Sequence, residues 1–141
     1  MRPRFHLAIP VHDLDLARSF YVGVLGCAEG RSSADWVDFD LHEHQLVTHR
    51  VLDAPVERPP TNPVDGDAVP IPHFGLLLPW EAWHALADRL RAANTQFVIE
   101  PHVRFRGEIG EQATLFLLDP SGNALEFKSF RDESRVFAQD A

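Results

Sequence analysis

An α+β fold built from two tandem β-α-β-β-β modules is predicted by three observations. Strand-like and helix-like periodicities follow the same order in both halves of the 141-residue chain. A histidine occupies the matching place in each opening strand, with Arg4-Phe5-His6-Leu7-Ala8 lying over Ile71-Pro72-His73-Phe74-Gly75. A proline-rich stretch separates the halves. Internal repetition constrains architecture before any single element does. The repeat divides one domain into module one (about 4–51), a connection (about 52–70), module two (about 71–130) and a polar tail (131–141).

Each element has a local reason. In Phe5–Val11, His6 and Ala8 face one side of a strand while Phe5, Leu7 and Ile9 face the other. Asp13 or Asp15 is placed to cap a helix. Leu14, Ala17, Tyr21, Val24 and Leu25 give that helix an apolar face, and Gly26 ends it. Strands follow near Trp36–Leu41 and Gln45–Val51, around a turn at His42-Glu43-His44. Five of the 11 prolines fall in 52–70, which predicts an irregular linker or a lid over a pocket. The pattern then restarts. Ile71–Leu78 reads as a strand. Glu81–Asn94 reads as a helix, with Trp83, Leu86, Ala87, Leu90 and Ala93 on one face. Phe97–Arg106, Gln112–Leu118 and Ala124–Phe130 read as strands, the last two joined by the turn Asp119-Pro120-Ser121-Gly122-Asn123.

Composition narrows the function. Hydrophobic content of 45% is enough for a core. A net charge of −8 argues against sequence-independent nucleic-acid binding, which relies on cationic side chains at phosphates. No basic cluster suits an anionic membrane, and no apolar run approaches the roughly 20 residues that span a bilayer. The N-terminus enters a strand pattern without a signal-peptide core. The single cysteine, Cys27, excludes an intrachain disulfide. A cytoplasmic setting and a small-molecule substrate are expected, with neither nucleic acid nor membrane as partner.

Three residues carry the chemistry. His6 and His73 occupy matching positions, and Glu126 projects from the last strand opposite to Leu125 and Phe127. A carboxylate on an inward strand face is costly without a positive partner. Two imidazoles and one carboxylate suit a divalent ion and leave coordination positions open, the mark of a catalytic site.

These residues sit within motifs. The opening Phe5–Val11 with Asp13-Leu14, Ser19-Phe20-Tyr21 and Leu25-Gly26, the start His73-Phe74-Gly75, and the closing Asp119-Pro120-Ser121-Gly122-Asn123-Ala124-Leu125-Glu126 together resemble the vicinal oxygen chelate superfamily over residues 4–130. That group includes glyoxalase I, extradiol dioxygenases, bleomycin and fosfomycin resistance proteins and epimerases. The resemblance implies a half-open, glyoxalase-like mixed β-barrel with helices outside, often completed in a homodimer. It implies that His6, His73 and Glu126 bind one divalent metal ion per chain.

The repeat then tests for a fourth ligand. Asp40–Val47 lies over Asp119–Glu126, which sets Val47 against Glu126. Valine binds no metal, so three protein ligands are expected. That favours an open facial triad, with Fe(II) preferred and Mn, Zn, Ni or Co as alternatives. Dioxygenase-type cleavage of a small vicinal-oxygen substrate is the leading expectation, with isomerase, epimerase or lyase chemistry second and non-catalytic drug binding third. Gln45 and His49 flank Val47 on the same strand face. A two-residue slip would make one of them a ligand; otherwise they line the pocket, His49 as an acid/base. Arg104 and Arg106 share a strand face with His102 and are candidates for holding an anionic substrate group. The ring-cleaving members' late pocket tyrosine has no counterpart, since the only tyrosine, Tyr21, lies on the helix's apolar face.

Overall fold

The computed structural model describes residues 1–53 and 59–139. The chain forms two compact units, Met1–Arg58 with Asp119–Asn123, and Pro59–Leu118 with Ala124–Ala141.

In unit one, β1 (His6–Val11), β2 (Ala28–Ser32), β3 (Trp36–Leu41) and β4 (His44–Arg50) form a sheet of order β1-β4-β3-β2. The first strand pairs with the last in parallel, His6 against Gln45 and Ala8 against Val47. Parallel neighbours need a crossover, and the helical segment after β1 begins it. Asp13 caps α1 (Leu14–Arg18) by accepting the Leu16 N–H at 2.9 Å. A π-helical turn, Ser19–Val24, continues it and ends at Gly26, whose φ of 82° favours glycine. Phe20 and Tyr21 are both buried there, their rings edge to face at 4.8 Å. The sequence reading lacked β2, because all five of its residues are exposed and show no apolar alternation.

The Asp119–Asn123 turn completes this core. The buried Asp119 carboxylate accepts four hydrogen bonds: from the Tyr21 hydroxyl (2.7 Å), from Ser121 N and Asn123 N, and from Asn123 Nδ2. The Asn123 amide also donates to the Pro10 carbonyl at 2.9 Å. His12 N donates to Ser121 Oγ, which lies 2.6 Å from His12 Nδ1. Burial, reinforced by the Asp119 charge, pushes the Tyr21 phenol well above its usual range.

Unit two repeats the plan. Its sheet has the order β7-β10-β9-β8, from β7 (Phe74–Leu77), β8 (Phe97–Arg104), β9 (Gln112–Leu118) and β10 (Ala124–Phe130). Again the first and last strands are parallel, here with Gly75 against Glu126. Between β7 and β8, α2 (Trp80–Ala92) buries Trp83, Ala87 and Leu90. The Trp83 indole N–H donates to the Phe127 carbonyl at 2.8 Å, fixing the helix to β10. Leu115, Leu117, Leu125 and Phe127 fill the core. Among the described residues no helix is long and apolar enough to cross a membrane.

The expectation that 52–70 is irregular fails for its second half. β5 (Thr61–Val64) and β6 (Asp67–Pro70) form an antiparallel hairpin. Asp65 and Gly66, at φ 48° and 87°, make the two-residue turn that such hairpins favour. Pro63 and Pro70 are tolerated because a two-stranded hairpin has free outer edges. Residues 54–58 of the predicted linker lie outside the described residues.

Two outcomes follow. A Cβ at Gly75 would collide with the Glu126 carbonyl, whereas one at Gly30 would sit 3.4 Å from Asp38 Cβ in ordinary contact. Gly75→Ala should therefore destabilise by about 3 kcal/mol or more, and Gly30→Ala by much less, in chemical denaturation. Tyr21→Phe should cost about 1–3 kcal/mol at neutral pH by removing a donor from a buried carboxylate. Because the folded phenol's value is raised, its contribution is complete below about pH 10 and is lost as pH rises through the higher folded value. The wild-type chain should lose stability in that alkaline window more steeply than Tyr21→Phe.

Candidate metal centre

In unit two, His73 immediately precedes β7. Its Nδ1 lies 2.7 Å from the Pro70 carbonyl, which only accepts, so Nδ1 carries a hydrogen and Nε2 is the nitrogen turned outward. That Nε2 faces Glu126 Oε1 at 3.2 Å. The other carboxylate oxygen, Oε2, accepts the Thr114 hydroxyl at 2.6 Å. The His73 ring stands edge-on to Phe116 at 5.0 Å, and both site side chains are largely shielded, 25% and 19% exposed. Phe116 is buried against Val69 and Ile99, so one wall of the pair is apolar.

A ring nitrogen facing a carboxylate oxygen at this distance is held there either by a proton or by a shared cation. An imidazole nitrogen with a carboxylate oxygen is a donor set for borderline divalent ions, and both are oriented by outer hydrogen bonds, as metal ligands usually are. The pair fits a divalent metal. Among the described residues no group of three or more His, Cys, Asp or Glu is gathered as for a metal ion. His6, the third expected ligand, belongs to unit one.

There His6 stands opposite Gln45, with Nδ1 2.7 Å from Gln45 Oε1. Gln45 Nε2 donates to Asp38 Oδ2 at 3.4 Å, and Arg31 Nε lies 3.6 Å from the same oxygen. Gln45 and Asp38 border an open cavity of about 430 Å³, with Arg31, Asp40 and His44 among its other walls. Val47 is buried and pairs with Ala8 as Glu126 pairs with Gly75. The register expected from the repeat is therefore present, without a two-residue slip. Gln45 meets His6 rather than standing as its equal, and His49 is exposed beyond it, opposite Pro10 and Trp36.

The arginines are arranged differently from expectation. Strand β8 stops at Arg104, and Phe105 at φ 56° turns the chain, so Arg106 does not continue the strand face. Arg104 is ion-paired with Asp65 in the hairpin turn and lies 4.9 Å over the Phe105 ring. His102 Nδ1 contacts the Glu100 carbonyl at 2.8 Å. Thr114 and Asp38 were missed from sequence. Asp38 was detectable, because Val37, Phe39 and Leu41 form the apolar side of the alternation in β3 and leave Asp38 on the other face.

Comparison with known proteins decides the family. The family model of the Glyoxalase/Bleomycin resistance protein/Dioxygenase superfamily matches residues 5–127. The chain belongs to this superfamily. A glyoxalase/bleomycin resistance protein/dioxygenase from Alicyclobacillus acidocaldarius is 34% identical, with 96% of this chain and 97% of that one covered and a TM-score of 0.79. The fosfomycin resistance protein FosX of Listeria monocytogenes (15% identity, 96% and 99% covered, TM-score 0.69) shares the fold. So does a glyoxalase/dioxygenase of Nostoc punctiforme (16% identity, 92% and 91% covered, TM-score 0.67). No curated protein matches the chain. Members of the superfamily include enzymes and resistance proteins, and divalent metal binding is common among them.

The pseudo-symmetry within this superfamily member gives a direct test. Val47→Glu places a carboxylate at the register mate of Glu126. The metal-free variant should be less stable than wild type, because a buried carboxylate lacks a partner. Added Co(II) should raise its melting temperature more than it raises that of wild type.

Proposed function

We propose that the protein is a metal-dependent enzyme that binds a small substrate with two adjacent oxygens on a divalent ion held by His6, His73 and Glu126. The observation that carries this reading is the His73–Glu126 pair, with Nε2 turned to Oε1 and each partner anchored from behind. Such an ion, when bound, lowers the pKa of a chelated hydroxyl and stabilises a developing oxyanion. The chain's own residues do the rest. Pro70 O and Thr114 Oγ1 fix the two ligands of unit two, so less orientation is lost on binding. Phe116 shields one side of the pair from water. With Val47 at the fourth position, substrate oxygens find open sites. His49, on the same face of β4 as Gln45, is the candidate proton carrier at an imidazole nitrogen.

Dioxygenase-type cleavage with Fe(II) is the first reaction considered. Isomerase, epimerase or lyase chemistry is the second reading, and one observation favours it. Tyr21 is fully buried and bonded to Asp119, so it cannot serve as a pocket tyrosine. A third reading is drug binding without catalysis, since the superfamily includes resistance proteins as well as enzymes. A homodimer in a cytoplasmic setting belongs to the same proposal, with a mass near twice 15.9 kDa expected in light scattering.

The purified chain should hold about one divalent ion, as a single three-ligand site requires. His6→Ala, His73→Ala and Glu126→Ala should each lower the metal content measured by elemental analysis. Unchanged content in all three would remove the assignment. Oxygen uptake with catechol-like substrates after Fe(II) loading separates the reactions. Uptake supports cleavage, and its absence with a preference for Mn, Zn, Ni or Co supports proton-transfer chemistry.

A further inference from the structure

We propose that Gln45 is a positioning residue that holds His6 in the tautomer able to bind a metal ion, and that Asp38 in turn holds Gln45. This rests on the metal-site reading above and adds the device that makes His6 competent.

The sheet register sets the geometry. His6 and Gln45 are direct partners across the parallel pairing of β1 and β4, so their side chains rise from the same face. The 2.7 Å contact between His6 Nδ1 and Gln45 Oε1 is ambiguous alone, because an amide has a donor end and an acceptor end and an imidazole has two tautomers. The far end of the amide resolves it. Gln45 Nε2 reaches Asp38 Oδ2 at 3.4 Å, and an ionised carboxylate only accepts. The amide nitrogen must therefore point to Asp38, and the oxygen to His6. His6 then carries its hydrogen on Nδ1 and presents a lone pair at Nε2.

Asp38 is suited to this role. Its side chain is only 11% exposed, on the strand next to Gln45, and Arg31 Nε at 3.6 Å supplies a positive neighbour. A carboxylate behind an amide behind an imidazole is a longer form of the carboxylate–histidine support common at metal sites. His73 reaches the same tautomer by another route, through the backbone carbonyl of Pro70. Of the two histidines, only His6 has its tautomer set by a side chain that substitution can remove. In this arrangement the Gln45 oxygen is engaged with the ring it orients.

The test uses full-length protein and Co(II) as the probe. Long-range ¹H–¹⁵N spectra of the metal-free wild type should show His6 protonated at Nδ1. Gln45→Leu should give a mixture of tautomers and weaken Co(II) binding by about 10- to 100-fold in calorimetry. Gln45→Glu, which keeps an acceptor oxygen, should restore most of the affinity, and Asp38→Asn should lie between. Gln45→Met is the second isostere should the leucine variant not fold. An unchanged His6 tautomer with unchanged affinity in Gln45→Leu or Gln45→Met overturns the proposal, and the metal site still stands if His6→Ala abolishes binding. If His6→Ala leaves Co(II) affinity at the wild-type value, the metal-site reading itself fails and this proposal fails with it.

Discussion

Each module depends on its opening strand lying parallel to its closing strand. This pairing is non-local, and in module two β7 approaches β10 so closely at Gly75 that no side chain fits beside Glu126. The register it sets decides what stands next to what. In module two it brings His73, at the mouth of β7, to the carboxylate of β10. In module one the same pairing brings His6 to Gln45. Trp83, bonded to the carbonyl next to Glu126, ties the crossover helix to the same strand, so core packing and ligand placement share one element.

The two modules keep the scaffold and divide the chemistry. At equivalent register positions Glu126 is matched by Val47, and Phe116, which pairs with Glu126, is matched by Asp38, which pairs with Val47. One module sets a carboxylate beside an apolar ring, Glu126 beside Phe116. The other sets an apolar residue at that place and its carboxylate one strand away, Val47 beside Asp38. A symmetrical pair of modules would carry a second carboxylate at that register position.

Much of this was legible in the sequence, for identifiable reasons. Repeat order and histidine register follow from side-chain periodicity, which is local, and β3, β9 and β10 have the boundaries that alternation gives. The exposed strand β2 was not legible, because a strand without a buried face leaves no pattern. The β5–β6 hairpin was hidden by its prolines, although Asp65-Gly66 marked its turn. At the site, residue types pointed to His6, His73 and Glu126, but Thr114, Asp38 and the Pro70 carbonyl act through distance and orientation. The ion pair of Arg104 was not legible for the same reason, since its partner Asp65 lies 39 residues away.

The Asp119–Asn123 turn has a consequence for how the chain is made. Unit one contains a buried phenol whose acceptor lies 98 residues downstream. A ribosome adding about 5–20 residues per second would need on the order of 5–20 s to deliver that acceptor. Through that interval the emerging first unit holds a hydroxyl that must stay in water or remain unpaired, and its core cannot close. Folding from the N-terminus outward is thus incomplete by construction, and unit one is finished only when the Asp119–Asn123 turn has left the exit tunnel.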